Sequence, residues 1–190
     1  MADKYFDSKD FQKIDFSTSK IQKGEYDNCV FTKCNFSTIH ASNIQFVECE
    51  FIECNFSNTI LKDTGLKDVM FNNCKMLGVK FHEVDTFLLK MSFTNCQLGF
   101  SSFRELNMNG TYFKNCTLEE VNFSNTDLTS AVFESSVLKN TVFDQSILEK
   151  VDFRTAKYLR IDPDVNKLKG AKFSKENVIG LLDKYKISIE

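Results

Sequence analysis

Tryptophan is absent from this 190-residue chain, and proline occurs once. So little proline excludes a Pro-rich linker or tail. No run approaches 18 apolar residues, so no membrane-spanning helix is expected. Neither charge sign dominates: 24 bases face 26 acids, a formal net charge of −2. That balance excludes a generally basic nucleic-acid binder and a strongly acidic tail. No Walker loop, GxGxxG, HExxH or C-x-x-C spacing occurs. These absences predict no catalytic residue, no cofactor, no metal site and no small-molecule substrate. The opening, MADKYFDSKD, shows no apolar stretch behind a basic region. The expected compartment is the cytoplasm, where the seven cysteines stay reduced.

Phenylalanine, by contrast, is abundant, and its 20 copies are periodic. Every fifth residue from Phe6 to Phe81 is apolar: Phe6, Phe11, Phe16, Ile21, Tyr26, Phe31, Phe36 and onward, with Ala41 the one weak member. After a two-residue slip at Val84, Asp85, Thr86 and Phe87 the series resumes at Leu88 and runs to Tyr158. Thirty-one units result, and 17 of the 20 Phe occupy their centres, against about a fifth by chance. A second track lies two residues before each centre. It holds small or β-branched residues and all seven cysteines: Cys29, Cys34, Cys49, Cys54, Cys74, Cys96 and Cys116.

A period of five fits neither helix nor regular strand. Two inward residues separated by one outward residue do fit a short extended stretch followed by a turn. From the slip onward Phe alternates with Leu or Met at successive centres, so the true repeat is a multiple of ten. Four sides per coil make each side uniform. The expected fold is all-β, a four-sided solenoid of about eight coils over residues 1–161, with the slip at 84–88 joining two stacks. Cys34, Cys54, Cys74, Cys96 and Cys116 fall in one ladder and are expected to be small buried hydrophobes. His40 and His82 flank centres and should face outward.

The C-terminal stretch, 162–190, follows Pro163. Ser174 is placed to cap a helix, and Val178, Leu181, Leu182 and Tyr185 follow helical spacing. Ile187 to Ile189 reads as a short strand. One helix and one strand cannot bury an apolar face alone, so this module is expected to cap the solenoid or to pair with a second copy.

The units Cys34-Asn35-Phe36-Ser37-Thr38, Cys54-Asn55-Phe56-Ser57-Asn58 and Val121-Asn122-Phe123-Ser124-Asn125 resemble the pentapeptide-repeat consensus A(D/N)LXX. The resemblance covers roughly residues 4–160 and implies a right-handed quadrilateral β-helix. The piece from Leu168 to Phe173, with Leu181-Leu182 and the apolar terminus, resembles the C-terminal module of the Qnr-type and MfpA-like members. That resemblance implies a homodimer through Val178, Leu181, Leu182, Tyr185, Ile187 and Ile189. It also implies a rod that binds DNA gyrase and topoisomerase IV as a DNA mimic. Two long projecting loops of the Qnr pattern are missing here.

The side centred on Phe6, Tyr26, Phe46, Leu66, Leu88, Met108, Leu128 and Leu148 carries seven acids against three bases. The acids are Asp7, Glu25, Asp27, Glu48, Asp68, Asp127 and Glu149, and they form the candidate partner-binding strip. The leading expectation is therefore a non-enzymatic, dimeric protein that binds a type II topoisomerase and modulates quinolone or toxin sensitivity. The alternative is a repeat scaffold for another protein partner. Neither involves direct nucleic-acid or membrane binding.

Overall fold

The computed structural model describes residues 4–188. Every strand pair is parallel, and successive coils pair with a register of 20 residues, or 22 across the slip. The first wall stacks strands Lys4–Asp7, Gly24–Asp27, Gln45–Val47 and Gly65–Lys67. The second stacks seven strands, from Asp10–Gln12 to Val132–Glu134. The third and fourth walls are ladders of single bridges, such as Asn35↔Asn55 and Ser102↔Asn122. The centres point into the lumen: Phe31, Phe51, Phe93, Phe113 and Phe133 are fully buried. Phe113 and Phe133 stack with centroids 4.9 Å apart and rings 4° from parallel. In this second-wall column Phe11 to Phe173 make eight such steps.

Two local devices explain the polar part of each unit. An Asp or Asn before the centre accepts a hydrogen bond from the backbone N–H two residues on. Asp15, Asn35, Asn55, Asn122 and Asp127 all do so. Two residues after the centre the chain turns the corner with a left-handed residue, as at Asn28, Asn58, Asn73, Asn115 and Asn125. Asparagine tolerates that conformation better than most residues, which accounts for its frequency there.

The inner track before each centre is a hydrogen-bond ladder. Thr59, Thr64, Thr126 and Thr141 donate to the carbonyl of the centre residue one coil below, at 2.6–2.9 Å. Ser136, Ser146 and Asn166 do the same. Cys54, Cys74 and Cys96 repeat the bond through sulfur at 3.2–3.3 Å. Each of these side chains gives a hydrogen bond to a carbonyl beside the apolar interior.

Three expectations are corrected. Leu88 is not a centre: it is 67% exposed, with a φ of 56°. Asp85 still pairs with Gly65, which gives Thr86 the centre register and Leu88 the corner, yet Thr86 is exposed and Leu89 packs against the core instead. The two extra residues follow, and Lys90 re-enters the ladder by donating to Leu66 O and accepting from Val69 N. Reading Leu88 as a centre put the slip one unit early, because its leucine outweighed the threonine at 86.

Tyr158 likewise turns outward with a φ of 57°, and Leu159 is buried beside it. Pairing nevertheless continues past residue 161, through Ile147↔Lys167 and Asp152↔Lys172. The second-wall column therefore ends on Phe173.

Lastly, the terminal segment forms two 3₁₀ turns, Val178–Leu181 and Asp183–Tyr185, instead of an α-helix. Ser174 does not cap the first, whose N-cap is Asn177 with no side-chain bond; it accepts from Asn177 N at 3.2 Å in the turn before it. Tertiary pins explain the tight winding. Gly180 lies so close to Leu159 that a Cβ there would meet its carbonyl oxygen at 1.9 Å. Gly180 O accepts from Ile161 N, and Lys184 is held by Asp162 and Asp164. So short a segment cannot nucleate a regular helix against such restraints. Ile187 and Ser188 are not in a strand, and Ile189 lies outside the described residues.

A candidate protein-binding surface

The lower coils of the first wall bring Asp7, Glu25 and Asp27 onto one flat ladder. Asp7 pairs in register with Asp27, and Tyr5 with Glu25. The Tyr5 hydroxyl donates to Asp27 Oδ2 at 2.8 Å. That bond, with the charges of Asp27, Asp7 and Glu25, pushes the Tyr5 phenol up to about 12. Like charges one coil apart repel, and only an exposed, solvated wall tolerates them. Glu48 and Asp68 stand at left-handed corner positions, with φ of 51° and 55°, beside the same wall. Asp68 is paired with Lys90 at 2.8 Å.

Farther along the rod the strip loses its character. Asp127 accepts from both Thr129 N and Thr129 Oγ1, so its carboxylate serves its own turn. Glu149 sits four coils above Asp68, beside Lys150 and one coil below Lys167 and Lys169. The corrected register adds Asp85 to the wall, bridged to Gly65. Its Oδ1 accepts from Phe87 N at 3.0 Å. Sequence reasoning missed this acid by assigning it to the slip. The turn signal of an Asp two residues before Phe87 marks it.

Of the slip residues, Val84 is buried and Asp85 stays on the wall, while Thr86 and Phe87 turn out. Phe87 is 65% exposed, with Lys67 Nζ 5.5 Å from its ring centre. Beside it Met70, Leu88, Leu89 and Tyr112 line a groove of about 530 Å³. This apolar ridge falls on the corner between the first two walls.

At the far end the terminal segment closes the lumen. Asn177 Nδ2 donates to Phe153 O, continuing the inner-track bond on the last coil. Leu181 packs against the core, whereas Val178, Leu182, Tyr185 and Ile187 are exposed. Of these, Leu182 and Ile187 line, with Tyr158 and Ile179, a hollow of about 610 Å³ whose rim also carries Lys157, Arg160, Glu176, Asp183 and Lys186.

His40 is exposed, and His82 is half-buried with its Nδ1 unpartnered. Among the described residues no three His, Cys, Asp or Glu side chains converge on a metal position. No helix of the described residues is long and apolar enough to cross a membrane.

Comparison with known proteins agrees with this architecture. Residues 24–87 match the family described as pentapeptide repeat region, and residues 61–143 match the SV2A/B/C luminal domain family. No curated protein matches the sequence. Among solved structures, a trypsin-treated variant of QnrB1, a plasmid-mediated fluoroquinolone resistance protein, superposes with a TM-score of 0.59 at 16% identity. The match covers 98% of this chain and 92% of that one. Full-length QnrB1 gives a TM-score of 0.40 at 18% identity, over 97% and 100%. HetL, a pentapeptide-repeat protein from Nostoc sp. strain PCC 7120, gives 0.29 at 13% identity, over 89% and 86%. The five-residue period and the parallel coil agree with the pentapeptide repeat match over residues 24–87, and the fold is that of the QnrB1 solenoid.

Proposed function

We propose that this chain is a non-enzymatic rod that binds a type II topoisomerase, DNA gyrase or topoisomerase IV, in place of DNA. The observation that carries the reading is the ladder of Asp7, Glu25 and Asp27 on a flat wall, continued by Glu48 and Asp68 along its edge. Acids recurring at the coil spacing of about 4.8 Å offer a coarse copy of a DNA strand, which carries one charge per 3.4 Å. A basic DNA-binding groove is the complementary partner. Likeness of fold to a fluoroquinolone resistance protein supports the same target. Docking would displace DNA, or shield the cleaved complex from quinolones or peptide toxins, in the cytoplasm.

The rod acts as a homodimer through Val178, Leu181, Leu182, Tyr185, Ile187 and Ile189. The exposed side chains of Tyr158, Ile179, Leu182 and Ile187 support that role. Light scattering checks it: the full chain should be dimeric, and a monomeric full chain removes the assignment.

A supercoiling assay with purified gyrase, with and without ciprofloxacin, tests the target. Micromolar protein should change supercoiling or drug sensitivity; no change in either abandons the topoisomerase. The exposed ridge of Phe87 and Leu88 favours a second reading, a scaffold for a different protein. In that case Phe87→Ser abolishes partner capture while acid reversal does not.

A further inference from the structure

The two cysteine columns contain more sulfur than the fold requires. At equivalent inner-track positions Thr59, Thr126, Ser136 and Ser146 make the carbonyl bond with oxygen. Yet five consecutive coils of the third wall carry Cys34, Cys54, Cys74, Cys96 and Cys116. Two of the second carry Cys29 and Cys49. The flanking residues pair in register: Asn35↔Asn55, Asn55↔Lys75, Lys75↔Gln97 and Gln97↔Thr117, with Val30↔Glu50 for the shorter column. The sulfurs are thus stacked, and all seven thiols are free and buried.

Stacked sulfurs one coil apart, about 4.8 Å, have a specific chemical use. Two metal–thiolate bonds of about 2.3 Å laid end to end span nearly that distance. A third ligand is missing, since no group of three donors converges among the described residues. Tetrahedral zinc is therefore unsuited. A soft ion that accepts two thiolates in a line is suited. The lumen is lined by Phe, Leu and Met, so an uncharged product is favoured over a charged one.

We propose that successive cysteines of these columns form linear bis-thiolate sites for a soft divalent cation, with mercury(II) as the probe. Binding breaks two S–H bonds and forms two metal–sulfur bonds. Both protons leave to solvent, the site becomes neutral, and nothing is oxidised or reduced. Because the thiols are buried, uptake follows local opening of the coils and is slow.

Neighbour pairing fixes the stoichiometry. The short column holds one ion and the column of five holds two, which leaves one thiol free. The test is native mass spectrometry of the folded full chain after long incubation with mercury(II). Free-thiol titration after denaturation and thermal melting accompany it.

Three ions per chain, one reactive thiol and a raised melting temperature are expected, with zinc(II) causing no shift. Single serine variants keep the carbonyl bond and sharpen the count. Cys54→Ser or Cys96→Ser isolates one thiol from its neighbours and should drop the count to two. Cys74→Ser or Cys116→Ser leaves every remaining thiol a neighbour and should keep three. Seven singly capped thiols, no uptake, a lowered melting temperature, an equal effect of zinc(II), or counts indifferent to which cysteine is replaced would each overturn the sites.

Discussion

The two halves of the rod fill the same square lumen in different ways. In the N-terminal coils three walls carry aromatic columns, and adjacent rings meet edge to face, as in Phe31–Phe36 and Phe46–Phe51. The fourth wall then holds Ile21, Ala41 and Leu61. In the C-terminal coils only two opposite walls carry Phe, and they touch across the lumen, as in Phe103–Phe113 at 6.0 Å. Leu or Met fills the other two walls, as with Met108, Leu118 and Leu128. Three rings with Ile, Ala or Leu thus fill the N-terminal coils, and two rings with two aliphatics fill the C-terminal ones. Ala41, the weakest member of the sequence series, shares its coil with Tyr26, Phe31 and Phe36, whereas the next coil buries Leu61 beside Phe46, Phe51 and Phe56. Ala41 is completely buried. Because interiors are close-packed, bulk added on one wall must be offset on another.

The largest effect expected is removal of a stacked ring. Phe113→Ala, which empties one of only two rings in its coil, should cost about 3–5 kcal/mol in chemical denaturation. Next, Ala41→Leu, which adds bulk at a completely buried position, should cost about 1–3 kcal/mol. Adding Phe36→Leu, which frees volume in the same coil, should recover much of that loss. No recovery would refute the exchange of volume between walls.

The inner track gives a smaller contrast. Thr126→Val removes the hydroxyl donor to the Phe103 carbonyl, which keeps Leu106 N, and should cost about 1 kcal/mol. Cys54→Ser keeps a donor to Phe31 and should change stability by less than about 1 kcal/mol. At the junction of the halves, Leu88→Asn relieves a leucine from the left-handed region. It should raise stability by about 1 kcal/mol in urea melts.

The smallest effect is electrostatic and confined to the N-terminal half. The Tyr5 phenol is raised from 10.0 to about 12 in the fold. Its contribution is present below pH 10 and is lost as the pH climbs toward 12. Ultraviolet titration of Asp27→Asn should return Tyr5 toward 10. Tyr26, pushed up to about 12 by burial, should stay where it is.

The repeat made the walls legible, because a side chain's distance from its centre decides whether it faces lumen or water. Two features stayed hidden. Thr86 breaks the apolar series and Leu88 offers a false centre, because a corner position is decided by backbone handedness rather than hydropathy. The helix expected at Val178 to Tyr185 followed a real apolar period, but that period cannot report the restraints at Gly180 and Lys184. Of the acidic strip, placement on one wall was legible. The engagement of Asp127 by Thr129 was not, since it depends on local turn geometry.

Competition for immobilised gyrase between labelled DNA and this protein tests the functional claim most directly, because the acids are unequally shared between the halves. Full-length protein should release the DNA. The Glu25→Lys/Asp27→Lys variant should fail to do so, and Glu149→Lys should compete normally. Displacement that survives reversal of Glu25 and Asp27, or no displacement by the unaltered chain, would contradict the acidic wall as the docking surface.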